Sequence, residues 1–337
     1  MRRAFLHAMR TLIDELKTIR VGEAQRFQSL TLFPLLRTES PAGAPAYLLL
    51  EEAIAAGVAR VTEMSEGGSV PQLLFVNNSE RPILILDGEE LVGAKQNRVP
   101  NLTILAPPKR SIVIPVSCVE AGRWRHESKE FRVSSEAQYA RGRAARTSQV
   151  SASLFSRKSR QSDQGAIWDD IQQKAARMCA ASPTSAMNAM YEKAAAPLEQ
   201  YMGAFHWVEG QAGVAFGMGG QMAGLDLFDH PLTMQRLFPK LLRSYALDAL
   251  DGAPSASELE MNGLLSELAL APSFAEEAVG MGTDLRIQGH GLVGAGLWVE
   301  SRYVHLAGFR VGGNDGGVTT RLSRPSRRRT GGGDVVY

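Results

Sequence analysis

The sequence predicts an α+β fold in which a β-rich N-terminal half packs against a helical C-terminal half that ends in antiparallel strands. Three observations predict this class. Short aliphatic and β-branched runs divided by turns dominate residues 27–122, helical apolar spacing dominates residues 161–270, and alternating apolar runs return over residues 285–309. We expect the last strands to complete a sheet. With 337 residues, 44% of them hydrophobic, the chain can bury such a core, and the early sheet is expected to be sandwich-like or strongly curved.

The chain divides into three predicted parts. Residues 1–20 form an amphipathic N-terminal helix, residues 21–310 a single domain, and residues 311–337 a disordered tail rich in glycine and arginine. We expect the helix to dock on the domain, with a membrane-surface or partner-binding segment as the alternative. The tail is interpreted as solvated, and contact with nucleic acid or an anionic surface is its alternative.

The first part of the domain, residues 27–122, is predicted to be β-rich. Its strands are expected at Leu30–Leu36, Val58–Met64, Leu73–Asn77, Ile83–Leu86, Val99–Leu105 and Ser111–Val116. One helix interrupts them at Tyr47–Ala56, and Gly57 is expected to end it in the left-handed conformation.

Residues 123–160 are interpreted as a long basic connector, because arginine, lysine and serine are frequent there and bulky apolar residues are scarce. We favour a solvent-exposed loop with a short helix over a segment that faces phosphate groups. The last part, residues 161–310, is predicted to hold helices and strands. The stretch Ser162-Asp163-Gln164 is expected to cap its first helix, Pro197 to kink or break the second, and Gly217–Gly220 to form a hairpin turn.

Composition excludes several classes of protein. The net charge of +2 does not favour nucleic acid as a partner, and no run approaches the roughly 20 apolar residues that span a bilayer. Cys118 and Cys179 form no disulfide framework, so we expect a soluble protein of the reducing cytoplasm. No P-loop, HExxH or paired CxxC identifies a cofactor or a metal, so the cofactor stays unknown and no metal site is assigned. The oligomeric state is left open.

The candidate site lies in the stretch from Asp87 to Trp124. Four long polar residues, Lys95–Arg98, stand consecutively in a way that neither strand nor helix periodicity explains. A second polar cluster follows the apolar strand Ile112–Val116. If the strands between the clusters pair as a hairpin across Ala106–Lys109, the two clusters meet. That closure is the central prediction.

Each cluster residue has a chemical use and a structural alternative. Lys95 and Arg98 suit phosphate groups, while Gln96 and Asn97 suit a base edge or a ribose; a network that braces a loop is the alternative. Glu89 and Glu90 are candidates for a general base, a ribose acceptor or a metal ligand. Because neighbours on a strand face opposite ways, we expect only one of these two glutamates to face a pocket and the other to be a surface or ion-pair residue. The alternative for either is an ion pair with Lys95 or Arg98.

In the second cluster, Cys118 is a candidate nucleophile whose thiolate Arg123, His126 or Lys95 would favour, and a small buried cysteine is the alternative. Glu120, two residues further along, would face the same side as Cys118 in an extended chain. Arg123 and Trp124 are predicted at the rim of the pocket. There Trp124 stacks on a ring or, alternatively, closes a core.

The segments GEELVGAKQNR and IPVSCVEAGRW resemble the ARG and rhodanese-phosphatase-superfamily-associated protein domain. The resemblance extends over roughly Arg20 to Phe309. It implies a role in systems that handle ADP-ribose or other NAD-derived nucleotides. We therefore expect binding, and hydrolytic processing as an extension, of such a nucleotide. The alternatives are a non-catalytic interaction module and a hydrolase that depends on Cys118. Whether the chain is an enzyme stays open at this point.

Overall fold

The computed structural model describes residues 2–38, 41, 43–65, 67–252 and 261–312. Within them the chain forms eight helices and eighteen strands, which confirms the α+β class. The helices are α1 (Arg2–Thr18), α2 (Leu50–Ala55), α3 (Ala140–Arg157), α4 (Gln164–Arg177), α5 (Asn188–Lys193), α6 (Ala195–Ala204), α7 (Pro231–Leu250) and α8 (Met261–Leu270). The strands are β1 (Ile19–Val21), β2 (Gln25–Phe27), β3 (Leu30–Arg37), β4 (Leu48–Leu49), β5 (Ala59–Glu63), β6 (Gln72–Asn77), β7 (Ile83–Ile85), β8 (Glu89–Gly93), β9 (Arg98–Pro100), β10 (Ile104–Ala106), β11 (Arg110–Cys118), β12 (Phe131–Ala137), β13 (Gln211–Met218), β14 (Gln221–Phe228), β15 (Ser273–Glu277), β16 (Thr283–Gly289), β17 (Leu292–Val299) and β18 (Arg302–Arg310).

The largest sheet joins strands from both ends of the described chain. It has nine strands in the order β1-β3-β13-β14-β18-β17-β16-β15, with β2 paired to β3. Antiparallel pairing of β3 with β13 and of β14 with β18 places the last strands beside the first ones. The prediction that the terminal strands complete a sheet is therefore confirmed.

Of the two smaller sheets, the six-stranded one carries candidate site residues, on β8, β9 and β11. The six-stranded sheet has the order β12-β8-β9-β11-β6-β5, and the three-stranded sheet has the order β10-β7-β4, in which β4 and β7 are parallel. The predicted hairpin across Ala106–Lys109 is wrong. The fully apolar β10 is buried and pairs with β7, while β11 pairs first with β6 and then with β9.

Helix α7 links the large sheet to the six-stranded one, since it packs on β13 and on β12. Tyr245 of α7 stacks on Phe216 of β13 with ring centroids 4.1 Å apart. Ser244 of the same helix donates a hydrogen bond to the carbonyl of Gln138, just after β12. The main core cluster lies around this helix.

The interpretation of residues 123–160 as an exposed connector is wrong for most of its length. Strand β12 and the 18-residue helix α3 occupy it. Arg143 and Arg146 are fully buried, because Asp87 and Asp226 neutralise them inside the protein. A count of arginines predicts solvent exposure only when no buried carboxylates are available to pair with them.

Other local predictions are confirmed. Asp163 caps α4 by accepting the amide of Ala166, and Gly57 ends the α2 segment with φ +69°. The turn between β13 and β14 uses Gly219 and Gly220, both with positive φ. Residues 253–260 and nearly all of the predicted tail lie outside the described residues. Among the helices that are described, none has the length and apolarity to cross a bilayer.

Candidate functional site

The two polar segments meet through strand pairing. Cys118, at the end of β11, lies opposite Arg98, at the start of β9. The Nη1 atom of Arg98 donates to Cys118 Sγ at 3.2 Å and to Gln96 Oε1 at 3.0 Å. The predicted closure of the two segments is therefore confirmed. It arises because β11 pairs with β9, while β10 between them pairs with β7 and forms no hairpin with β11.

Most of the quartet Lys95–Arg98 points into the protein rather than toward solvent. Its four residues are between 0% and 8% exposed. Gln96 Nε2 donates to the carbonyl of Glu120 at 2.8 Å, and Lys95 Nζ donates to the carbonyl of Gly67 at 2.7 Å. Lys95, Gln96 and Arg98 thus brace the junction of the strands, as the structural alternative anticipated.

Glu89 and Glu90 face opposite sides of β8, as strand geometry requires. Glu89 Oε1 lies 2.5 Å from Lys240 Nζ of α7, so its ion-pair partner is not the predicted Lys95 or Arg98. Glu90 lies on the same face of the ladder as Val92, whose cross-strand neighbour is Arg132.

Glu90 is a buried carboxyl group with few partners. It is 0% exposed, Asn97 Nδ2 lies 3.5 Å from its Oε1, and within the described residues its Oε2 has no hydrogen-bond partner. Burial raises the pKa of Glu90 to about 7, against the opposing effect of a hydrogen bond from Ser134. Glu90 is therefore a candidate carboxyl group whose pKa lies near neutral pH.

Glu120 and Arg123 form a hydrogen-bonded clasp. Arg123 Nε donates to Glu120 Oε2 at 2.9 Å, and Arg123 Nη2 donates to Asn97 Oδ1 at 3.0 Å. Glu120 also accepts the amide of Asn97 at 3.0 Å and the hydroxyl of Thr184 at 2.7 Å. Burial alone would raise the pKa of Glu120, but Arg123, Thr184 and the Asn97 amide outweigh it and lower that pKa.

A polar cleft of about 260 Å³ opens beside this clasp. Its walls come from β8, the loops that follow β8 and β11, β12, the segment between α4 and α5, and α5 itself. The side chains that line it are Val92, Asn97, Glu120, Arg123, Glu127, Arg132, Ala181, Ser182, Pro183, Thr184, Ala186, Asn188, Ala189 and Glu192. Of the predicted site residues, only Asn97, Glu120 and Arg123 belong to this lining.

Trp124 lies at the surface next to the clasp. Its side chain is part of a residue that is 49% exposed, and Lys95 Nζ and the guanidinium carbon of Arg98 lie 5.3 Å and 5.8 Å from its ring centroid. Two cations therefore lie close to the indole ring, and its exposed part is available to a planar group.

The environment of Cys118 disfavours a thiolate. The residue is 0% exposed, its single S–H proton has Gln96 Oε1 and the Glu120 carbonyl as acceptors within reach, and burial raises the pKa of the thiol despite the nearby Arg98. This is the geometry of a small buried cysteine rather than of an activated nucleophile.

Sequence reasoning did not identify Arg132, Ser182, Thr184 and Asn188 as site residues. The one sequence signal for Arg132 is that it follows the apolar Phe131 at the start of an alternating stretch, so that the two side chains face opposite sides of a strand. Ser182 and Thr184 lie in a short loop between helices. Only the pairing of β12 with β8 brings Arg132 to the cleft.

A separate group of buried side chains, Asp87, Asp226 and His305, has its possible ligand atoms close enough together to hold a metal ion. Arg143 donates to both carboxylates, with Nη2 at 2.9 Å from Asp87 Oδ1 and 2.6 Å from Asp226 Oδ1. Because a guanidinium already neutralises these oxygens, the cluster is an arginine-centred charge network rather than a metal centre.

Fold and site together define a mixed α+β protein with a buried polar strand junction beside a small charged cleft. The chain belongs to the family of the ARG and rhodanese-phosphatase-superfamily-associated protein domain, whose sequence model matches residues 18–309. The family name records an association with ARG and rhodanese-phosphatase proteins, which is compatible with a nucleotide-related role. No curated protein and no solved structure matches the chain.

Proposed function

We propose that the cleft binds an ADP-ribose-like or NAD-derived nucleotide through one of its ribose groups. The observation that carries this proposal is the clasp, in which Glu120 is kept ionised at the cleft wall beside the Thr184 hydroxyl and Asn97. Arg123 and the Asn97 amide occupy Oε2 of Glu120 and Thr184 occupies one acceptor position of Oε1, so the remaining position of Oε1 accepts a hydrogen bond from one hydroxyl of the ribose.

The charges of the cleft support a ribose rather than a diphosphate in its interior. Two arginines and three glutamates line it, which gives the cleft a net charge of −1. They are Arg123, Arg132, Glu120, Glu127 and Glu192. A neutral diol or a cationic ring fits this balance. The phosphate groups would lie toward Arg132, which is exposed at the mouth.

The size of the cleft points the same way. A volume of about 260 Å³ is below the roughly 300–1,000 Å³ of pockets that enclose drug-sized ligands. It therefore suits a ribose with one attached group, while the rest of the nucleotide lies along the surface. Trp124 does not line the cleft, but it directly follows Arg123 in the chain and its ring is half exposed, so we propose that it takes the base outside the cleft.

Hydrolysis of a glycosidic bond of the bound ribose is the catalytic extension of this proposal. The environments of Glu90 and Glu120 move their pKa values in opposite directions, the pattern of a general acid beside an ionised carboxylate. Asn97 contacts both glutamates. Glu90 is fully buried and does not line the cleft, so binding is the primary function that we propose.

A thermal-shift titration tests the binding proposal. We expect ADP-ribose or NAD to stabilise the protein, by about 2.7 kcal/mol at a concentration of 100 times Kd. Arg132→Ala should weaken this stabilisation because it removes an exposed cleft cation. Arg60→Ala is the matched control, since Arg60 is an exposed arginine on β5, outside the cleft. Equal shifts in both variants, or no shift with any nucleotide, would contradict the proposal and favour a non-catalytic interaction module.

A further inference from the structure

Arg98 is a fully buried guanidinium group with unused donors. It is 0% exposed, and its Nη1 donates to Gln96 Oε1 and Cys118 Sγ. Its Nε and Nη2 have no hydrogen-bond partner in the part of the chain that the structure describes. These two nitrogens form one edge of the planar group, and such an edge holds two oxygens of an oxyanion at once. Because burial of an unpaired charge is costly, the free edge points to an anionic ligand.

A second cation and a carboxylate lie beside Arg98, next to the indole ring of Trp124. Lys95 Nζ is 5.3 Å and the guanidinium carbon of Arg98 is 5.8 Å from the centroid of this ring. Glu63 Oε1 accepts the backbone amide of Lys95 at 3.4 Å. Glu63 Oε2 is buried, and among the described residues it has no hydrogen-bond partner. Two cations and one carboxylate leave an excess of positive charge, which favours an anion.

Gly68 shows that these side chains converge on one place. A Cβ added to Gly68 would stand 3.1 Å from Lys95 Cδ and 3.5 Å from Glu63 Oε2. The same point lies 3.5 Å from Trp124 Cζ2 at the edge of the ring. Only a residue without a side chain leaves this place free, and the φ of +75° at Gly68 also favours glycine.

The ring of Trp124 fills the space that a ligand would take. The residue is 49% exposed, and no hydrogen bond of its side chain to any described residue holds it, so the two cations are its polar contacts. An indole ring is larger than a phosphate group. A ring that turns toward solvent therefore leaves room for such a group beside Lys95 and Arg98, and it can still stack on a base.

We propose that Arg98, Lys95 and Glu63 bind a phosphate group that keeps one acidic P–OH, in the place that Trp124 covers. Arg98 holds two phosphate oxygens through Nε and Nη2, and Lys95 balances their charge. Glu63 Oε2 accepts the P–OH proton. The carboxylate therefore rejects an anion without a proton and selects one that has it.

This selection separates the site from the nucleotide cleft. Inorganic phosphate keeps a P–OH at neutral pH, whereas a phosphomonoester keeps one only below about pH 6. The diphosphate of ADP-ribose keeps none at neutral pH. None of Glu63, Lys95 and Arg98 lines the cleft, so the site goes beyond the proposed function.

Calorimetric titration of the full chain with inorganic phosphate, at constant ionic strength, tests this proposal. We expect saturable binding at about pH 7.5, and binding of sulfate that is weaker by about 100-fold or more, because sulfate has no proton for Glu63. Ribose 5-phosphate should bind at about pH 5.5 and not at about pH 7.5, which separates free phosphate from an ester. Phosphate should also change the tryptophan fluorescence of the wild type but not that of Trp124→Phe, which still binds it.

Three variants test the roles of the residues. Glu63→Gln offers an amide donor, so it should bind sulfate about as tightly as phosphate, a gain that misfolding does not produce. Lys95→Gln should weaken phosphate binding by about tenfold or more. Lys17→Gln is the matched control, because Lys17 is an exposed lysine at the end of α1, and it should bind phosphate like the wild type.

Absence of saturable phosphate binding by the wild-type protein would overturn the proposal. Equal binding of phosphate and sulfate by the wild type would overturn it as well, and so would a folded Glu63→Gln protein that still rejects sulfate. If circular dichroism shows that Glu63→Gln does not fold, the phosphate-to-sulfate ratio of the wild type decides the question.

Discussion

At the scale of single residues, the sharpest prediction concerns Glu90, because burial raises its pKa from about 4.5 to about 7. A raised folded-state pKa means that the folded protein keeps a proton that the unfolded chain releases between these values. Its contribution to stability is therefore fully present below pH 4.5 and is lost as the pH rises to about 7. The total loss corresponds to about 3 kcal/mol.

Glu90→Gln imitates the protonated carboxyl group and should remove this pH dependence. We expect the variant to be more stable than the wild type at pH 8.5, by up to about 3 kcal/mol, and nearly equal to it at pH 4.5. Urea denaturation at the two pH values measures the difference. Glu130→Gln, which changes an exposed glutamate just before β12, serves as the control, and an identical response of both variants would refute the assignment.

At the scale of elements, the turn after β8 determines where Asn97 lies. Gly93 has φ +126°, and a Cβ there would stand 2.4 Å from Ser128 Oγ and 3.0 Å from the Glu130 carbonyl. We expect Gly93→Ala to lower the free energy of unfolding by roughly 1–3 kcal/mol and to weaken nucleotide binding. Urea denaturation checks the first effect and a ligand titration the second.

The control for this substitution is Gly203→Ala in α6, where nothing lies within 4 Å of the added Cβ. A helix favours alanine over glycine, so this variant should gain up to about 1 kcal/mol. A Gly93→Ala protein as stable as Gly203→Ala would show that the turn tolerates a side chain and does not fix the site.

The elements also show how far sequence reasoning reaches. Caps, turn glycines and apolar periodicity depend on near neighbours, so α4, the β13–β14 turn and the terminal strands were predictable. The meeting of Arg98 with Cys118 was predictable as well, because the segment between them is short. The path of the chain between these two residues was not predictable, because β10 joins a different sheet. The cleft depends on the pairing of β12 with β8, and no local pattern encodes that pairing.

At the scale of the whole molecule, Arg143 of α3 ties the β-rich half to the large sheet through Asp87 and Asp226. Replacement by methionine would leave two buried carboxylates without their main partner. We expect Arg143→Met to lower the free energy of unfolding by about 3–5 kcal/mol, measured by urea denaturation. Arg157→Met, at the exposed end of the same helix, should change it by less than about 0.5 kcal/mol. Similar small effects in both variants would show that the network does not hold the halves together.

In the function that we propose, a nucleotide ribose occupies the cleft beside Glu120 and Arg123. A crystal structure of the full chain with ADP-ribose at saturating concentration tests it most directly. We expect density for a ribose within hydrogen-bond distance of the Glu120 carboxylate, with a phosphate group toward Arg132. Ordered ligand elsewhere on the protein, or an empty cleft at that concentration, would contradict it.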